Sequence, residues 1–171
     1  MALIVEDGSI VENANGYDTV ANVKSFWDDR GFDHSAYTDD AVIGQAIVKA
    51  TDFLDGNYRW KGEVVSSEQS LQWPRYVYLE GEDYDDTFAI VPDAVRRATA
   101  EYARLALSNP LESDPATGLQ GAVRRTDRQV GPLRKEIEYA GGGASSTLRR
   151  LETVDGWLSR YTVNFSEVLR A

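Results

Sequence analysis

DDAVIGQAIVKATDFLDGN, residues 39–57, is the stretch that decides the fold class. Ile43, Ala46, Ile47, Ala50, Phe53 and Leu54 fall at i, i+3, i+4, i+7, i+10 and i+11, the apolar stripe of an α-helix. Asp39 or Asp40 supplies an N-cap oxygen, and Gly56-Asn57 stops the helix. A stripe of this length has to be covered by other elements.

Upstream, Asp18 or Thr19 caps a shorter helix that places Val20, Val23 and Trp27 on one face, with Gly31 ending it in the left-handed conformation. Before that, Leu3-Ile4-Val5 reads as a short strand closed by Glu6-Asp7-Gly8. Downstream, Pro92 occupies a first helical position and Asp93 the first turn. Val91, Val95, Ala98, Tyr102 and Leu105 give the buried stripe of a helix over about Pro92–Leu107. Arg97 and Arg104 can pair with Glu101 on its wet face. Leu151, Val154, Leu158 and Tyr161 mark a last short helix, weakened by Gly156.

Between these helices the signals are weaker. Residues 57 to 90 carry Tyr58, Trp60, Trp73, Tyr76, Tyr78, Tyr84 and Phe88 without long periodicity and read as an irregular aromatic segment packed on the helices. Residues 108–129 have loop composition and read as a mobile arginine-rich loop. Leu133, Ile137 and Tyr139 alternate imperfectly with charges and predict a half-exposed strand near 130–139, followed by the hinge Gly141-Gly142-Gly143. The expected architecture is mainly α: a small bundle of about four helices with long loops and a minor β element, the N-terminal strand and the strand near 130–139. Residues 1–107 form the helical core and 130–161 complete the same domain. Residues 162–171 are a tail.

Composition narrows the function. With 171 residues and 42% hydrophobic side chains, one domain or one domain plus an arm is expected. The absence of cysteine removes thiol catalysis and thiolate metal sites. No run of about 20 apolar residues is present to span a membrane, and the start MALIVEDGS lacks the pattern of a signal peptide, so a cytoplasmic origin and no membrane partner are expected. The formal net charge of -10 opposes nonspecific duplex binding. It is uneven: residues 1–90 hold 18 acidic and 6 basic groups, residues 91–171 hold 10 and 12. Such polarity suits stacking of copies, and a chance arrangement of solvated faces explains it as well.

Candidate chemistry is sparse. His34, the single histidine, lies in a loop without a nucleophile elbow and reads as a surface residue. The acidic run Glu80, Glu82, Asp83, Asp85, Asp86 lacks the ligand order of a calcium loop. No catalytic residue, metal site or cofactor is assigned, and no enzymatic activity is expected. Arginine outnumbers lysine 14 to 4 when the sequence is counted. Arg124, Arg125, Arg128, Arg134, Arg149 and Arg150 are the candidate interface residues, with a compositional bias towards Arg as the competing explanation. Trp60, Trp73, Pro74 and Arg75 are read as structural anchors. The competing reading makes Trp60, Trp73 and Tyr76 stacking platforms beside arginines.

Several stretches, in order, carry a family resemblance: Val5-Glu6-Asp7-Gly8, Ala14-Asn15-Gly16-Tyr17, Ala50-Thr51-Asp52-Phe53-Leu54-Asp55 with Tyr58, Trp60, Lys61 and Gly62, then Leu71-Gln72-Trp73-Pro74-Arg75, Ile90-Val91-Pro92, and Val130-Gly131-Pro132 to Glu138-Tyr139-Ala140. Over roughly residues 5 to 161 the chain resembles phage head-to-tail connector adaptors, a class often labelled DnaT-like single-stranded DNA-binding. The resemblance implies a structural virion protein at the neck. It would form a ring of about twelve neighbouring adaptor subunits below the portal protein, with genomic DNA passing through and a tail, stopper or nozzle protein docking beneath. The alternative it leaves open is a single-stranded DNA-binding module.

Overall fold

The computed structural model describes residues 2–77, 90–108, 111, 123–129, 134–139 and 150–163, with 123–129 and 134–139 as backbone only. The chain divides into two compact units, Met1–Asn109 with Arg150–Ala171, and Pro110–Arg149. The mainly α architecture with a minor β element is as the sequence implies.

The first unit holds α1 (Val20–Asp28), α2 (Asp40–Asn57), β1 (Glu63–Val64), β2 (Arg75–Tyr76), α3 (Asp93–Ser108) and α4 (Glu152–Leu158). The Thr19 hydroxyl caps α1 by accepting from Asn22 N–H, and the Asp39 carboxylate caps α2 by accepting from Ala41 N–H. Gly31 closes the end of α1 at φ +66. The Pro92 carbonyl accepts from the amides of Val95 and Arg96 as α3 opens.

Most of the predicted stripe residues are buried, while Val20, Leu105, Leu151 and Tyr161 at the stripe ends are half-buried. Ile43, Ile47, Ala50 and Leu54 of α2 meet α3, whose Val95, Ala98, Tyr102 and Ala103 are equally buried. Small residues on α3 let its neighbours approach closely. Trp27 of α1 packs there and donates its indole N–H to the Ala100 carbonyl at 2.9 Å. Val154 and Leu158 of α4, fully buried, belong to the same core as α3.

Two strand expectations change. Leu3–Val5 forms no strand, only a single parallel bridge from Val5 to Gly16. The reason is Glu6, which is 1% exposed and whose carboxylate accepts from the amides of Gly8, Ile10 and Val11, so the chain curls around it. Between α2 and α3 the aromatic segment contains a short hairpin that the sequence hides, Glu63↔Tyr76 and Val64↔Arg75. Gly62 makes it possible: φ is +71, and a Cβ there would lie 1.8 Å from the Tyr76 carbonyl oxygen.

In the second unit, β3 (Val123–Gln129) and β4 (Arg134–Tyr139) pair antiparallel from Gln129↔Arg134 to Val123↔Tyr139, with an irregularity between Val123 and Arg125. The strand near 130–139 is therefore present, but residues 123–129, read as loop, are its partner. VRRTDRQ has no apolar alternation to reveal a strand. The rest of 108–129 beyond Ser108 and Leu111, the acidic run 80–86, the glycine hinge and the tail from 164 lie outside the described residues.

Candidate nucleic-acid interface

The aromatic side chains of the first unit sort into two clusters by what surrounds them. One is internal. Trp60 and Trp73 are 8% and 2% exposed, meet edge to face at 5.6 Å, and continue into Tyr58 on one side and Tyr161 on the other. Neither indole is open for a base to stack on. Pro74 is buried beside them, and its carbonyl accepts from Gln69 Nε2 at 3.0 Å.

Arg75 belongs to this cluster. Its guanidinium donates to the carbonyls of Lys61, Gly62 and Gln72 and to the Gln72 side chain, at 2.7 to 3.2 Å, tying the strand to the turn before β1. A planar fork with five donors suits this task, and its donors are directed inward. Beneath it, Tyr17 Oη donates to Asp55 Oδ1 at 2.6 Å, Gln72 N–H donates to Asp55 Oδ2 at 3.0 Å, and Trp73 N–H donates to Tyr17 Oη at 3.2 Å. Burial pushes the Asp55 carboxyl up to about 6; the Tyr17 and Gln72 hydrogen bonds oppose the rise, and nearby Asp52 adds to it. Burial also raises the Tyr17 hydroxyl.

The other cluster is half-buried and interleaved with arginines. On α1, Phe26 carries the Arg30 guanidinium over its ring at 3.5 Å. On α4, Trp157 carries the Arg97 guanidinium from α3 at 4.4 Å. The two rings meet edge to face at 6.3 Å, so Arg30, Phe26, Trp157 and Arg97 form one continuous run. Close by in sequence, Phe32 packs on Trp27 and lies 5.6 Å from the Arg104 guanidinium. Carboxylates temper the charge: Asp93 is 3.9 Å from Arg97, and Glu101 is 2.9 Å from Arg104. Three elements far apart in sequence build this face, so no local motif announces it.

Other candidates resolve differently. Arg150 lies just before α4, places its guanidinium 4.7 Å over Tyr58, and donates to the Asn57 carbonyl. Arg124, Arg125 and Arg128 fall on β3 and Arg134 on β4 by backbone position, while Arg149 lies outside the described residues. The six candidate arginines are thus divided between the two units, Arg150 in the first and the other five in the second. Tyr76 is 46% exposed at the end of β2. His34 holds Asp28 at 3.0 Å and sits against Trp27. Among the described residues no group of three or more His, Asp or Glu side chains could hold a metal ion, and no helix is long and apolar enough to cross a membrane.

No curated protein and no solved structure matches the chain. A family model described as "Putative DnaT-like ssDNA binding protein" matches residues 1–171. That match overturns the connector reading: nothing points to a virion neck, a ring of adaptor subunits, a portal protein, or a tail or stopper partner. The physical reason is plain in the motifs that suggested it. Thr51, Phe53, Leu54, Asp55, Trp60, Gly62 and the Trp73-Pro74-Arg75 run are all engaged inside the subunit, so they report its fold and say nothing of what it docks on. The chain belongs to the DnaT-like ssDNA binding protein family.

Proposed function

We propose that this chain binds single-stranded DNA on the Phe26–Trp157 face, without a chemical step. The observation that carries the reading is the continuous run of two rings and two guanidinia, Arg30, Phe26, Trp157 and Arg97. Every base has a π-face, so aromatic platforms accept unpaired bases of any sequence, while guanidinia stack and meet phosphates. Family membership supports the same choice of ligand.

The charge sets the style of binding. At net -10, with carboxylates beside Arg97 and Arg104, few phosphates can be neutralised. Stacking leads, and the salt dependence is shallow, with a slope of log K on log salt near about -1 for one or two phosphate contacts. Duplex DNA, whose bases are already stacked, binds poorly.

Fluorescence anisotropy with a labelled oligo-dT strand and the matching duplex tests this. The single strand binds in preference to the duplex, and Trp157→Ala weakens single-strand binding about tenfold, within the 1–3 kcal/mol of one base–aromatic stack. Unchanged affinity in Trp157→Ala and Arg97→Ala, with their melts intact, defeats the assignment of this face.

A further inference from the structure

A cleft of about 270 Å³ opens where α2 ends, lined among others by Tyr58, Arg59, Arg150, Asp155, Thr162 and Val163. Its size lies below the roughly 300–1,000 Å³ of drug-sized sites, which suits a single ring system. Its polar groups carry both signs. A phosphate would meet the Asp155 carboxylate, and an apolar ligand would strand the guanidinia.

We propose that this cleft receives one guanine base, splayed from a strand bound on the Phe26–Trp157 face; it rests on the single-strand reading above. Guanine is the base whose edge matches both signs. Its N1–H and N2–H₂ are adjacent donors for a carboxylate, and its O6 and N7 are acceptors for a guanidinium. Both protein groups are held in place beforehand. Tyr58 Oη donates to Asp155 Oδ1 at 2.7 Å and is itself 2.6 Å from Tyr102 Oη, which accepts from Leu151 N–H at 3.4 Å. Arg150 is fixed by the Asn57 carbonyl and by the Tyr58 ring, which leaves further donors of its five for a ligand. Groups already ordered lose little entropy on binding. Thymine, with one donor between two acceptors, offers the carboxylate no such pair.

The test compares labelled dT12 strands carrying one central dG, dA, dC or dT. The dG strand binds about tenfold more tightly than the others. Asp155→Asn, which keeps an acceptor for Tyr58 but puts an amide donor against the guanine amine, removes that gain and leaves dT12 affinity unchanged. Equal affinities for all four strands, or a guanine gain that survives Asp155→Asn, overturns the proposal. A wild type that binds none of the strands defeats the single-strand reading instead. The cleft is then judged by titrating wild-type protein with 2′-deoxyguanosine and with thymidine while following the backbone amides of Asn57, Arg59 and Thr162 by NMR. Shifts with deoxyguanosine alone support the site, and no shifts with either refute it. The same titration decides if Asp155→Asn fails to fold.

Discussion

Trp73 and Trp157 sit in the same unit, surrounded in each case by aromatic rings and an arginine, and they do opposite work. Around Trp73 the arginine, Arg75, turns its donors onto three backbone carbonyls, and the rings close on one another. Around Trp157, Arg97 places its guanidinium over the Trp157 ring and Arg30 over the neighbouring Phe26 ring, Arg30 also donating to the Phe26 carbonyl at 3.2 Å. An arginine used as a backbone clamp makes an aromatic cluster a scaffold. An arginine laid on a ring leaves a cationic, stackable surface. Residue type alone does not separate these cases; the number of backbone carbonyls a guanidinium binds does, three for Arg75 and one for Arg30.

The contrast is easiest to break at the scaffold. Trp73→Ala is expected to cost about 3–5 kcal/mol in urea denaturation, the usual range for truncating a buried aromatic. Its folded fraction should keep single-strand affinity. A mild loss of stability with lost DNA binding would return Trp73 to the role of stacking platform.

Next in size is a pH effect at Asp55. Its folded pKa, about 6, lies above the ordinary value of 3.8, so the folded state holds the proton more tightly than the unfolded one. Its contribution to stability is fully present below about pH 4 and is lost as pH rises through about 6. Asp55→Asn removes this titration. The stability difference, variant minus wild type, should therefore rise by about 2–3 kcal/mol between pH 4 and pH 7, measured by urea denaturation at both. A pH-independent difference would mean that Tyr17 and Gln72 hold the carboxylate ionised throughout.

The smallest expected effect sharpens the surface side. Arg30→Gln should lower single-strand affinity by a few fold and flatten the salt slope by about 0.7, the share of one phosphate on a single strand. A slope that does not move assigns Arg30 to ring packing alone.

How much of this was legible in the sequence follows from range of contact. The α2 stripe and the α3 stripe read directly, because Ile43 to Leu54 and Val95 to Tyr102 repeat within single helices. Pro92 and the Asp39-Asp40 pair marked helix starts for the same local reason, and the fold selects Asp39 as the cap of α2. The β1–β2 hairpin was hidden because each strand is two residues long and its logic rests on Gly62 meeting the backbone of Tyr76. The Phe26–Trp157 face was hidden because it needs α1, α3 and α4 assembled, and Phe26 and Trp157 lie far apart in the chain. Only the four-residue spacing of Phe26 on α1 and Arg30 in the turn after it was a local hint. Asp155 was missed likewise, since Tyr58 stands 97 residues away. Arginine counting gives number alone, and what each guanidinium lies against is added only by the fold, as at Arg150 over Tyr58.

The most direct measurement uses the four tryptophans as reporters. Trp27, Trp60 and Trp73 are buried and Trp157 is half-buried on the proposed face. Titration with unlabelled dT12 at near-physiological salt should quench wild-type fluorescence saturably, and Trp157→Phe should abolish most of the quenching while the protein melts normally. Quenching that persists undiminished in Trp157→Phe, or no response to the strand at all, would contradict single-strand binding on this face.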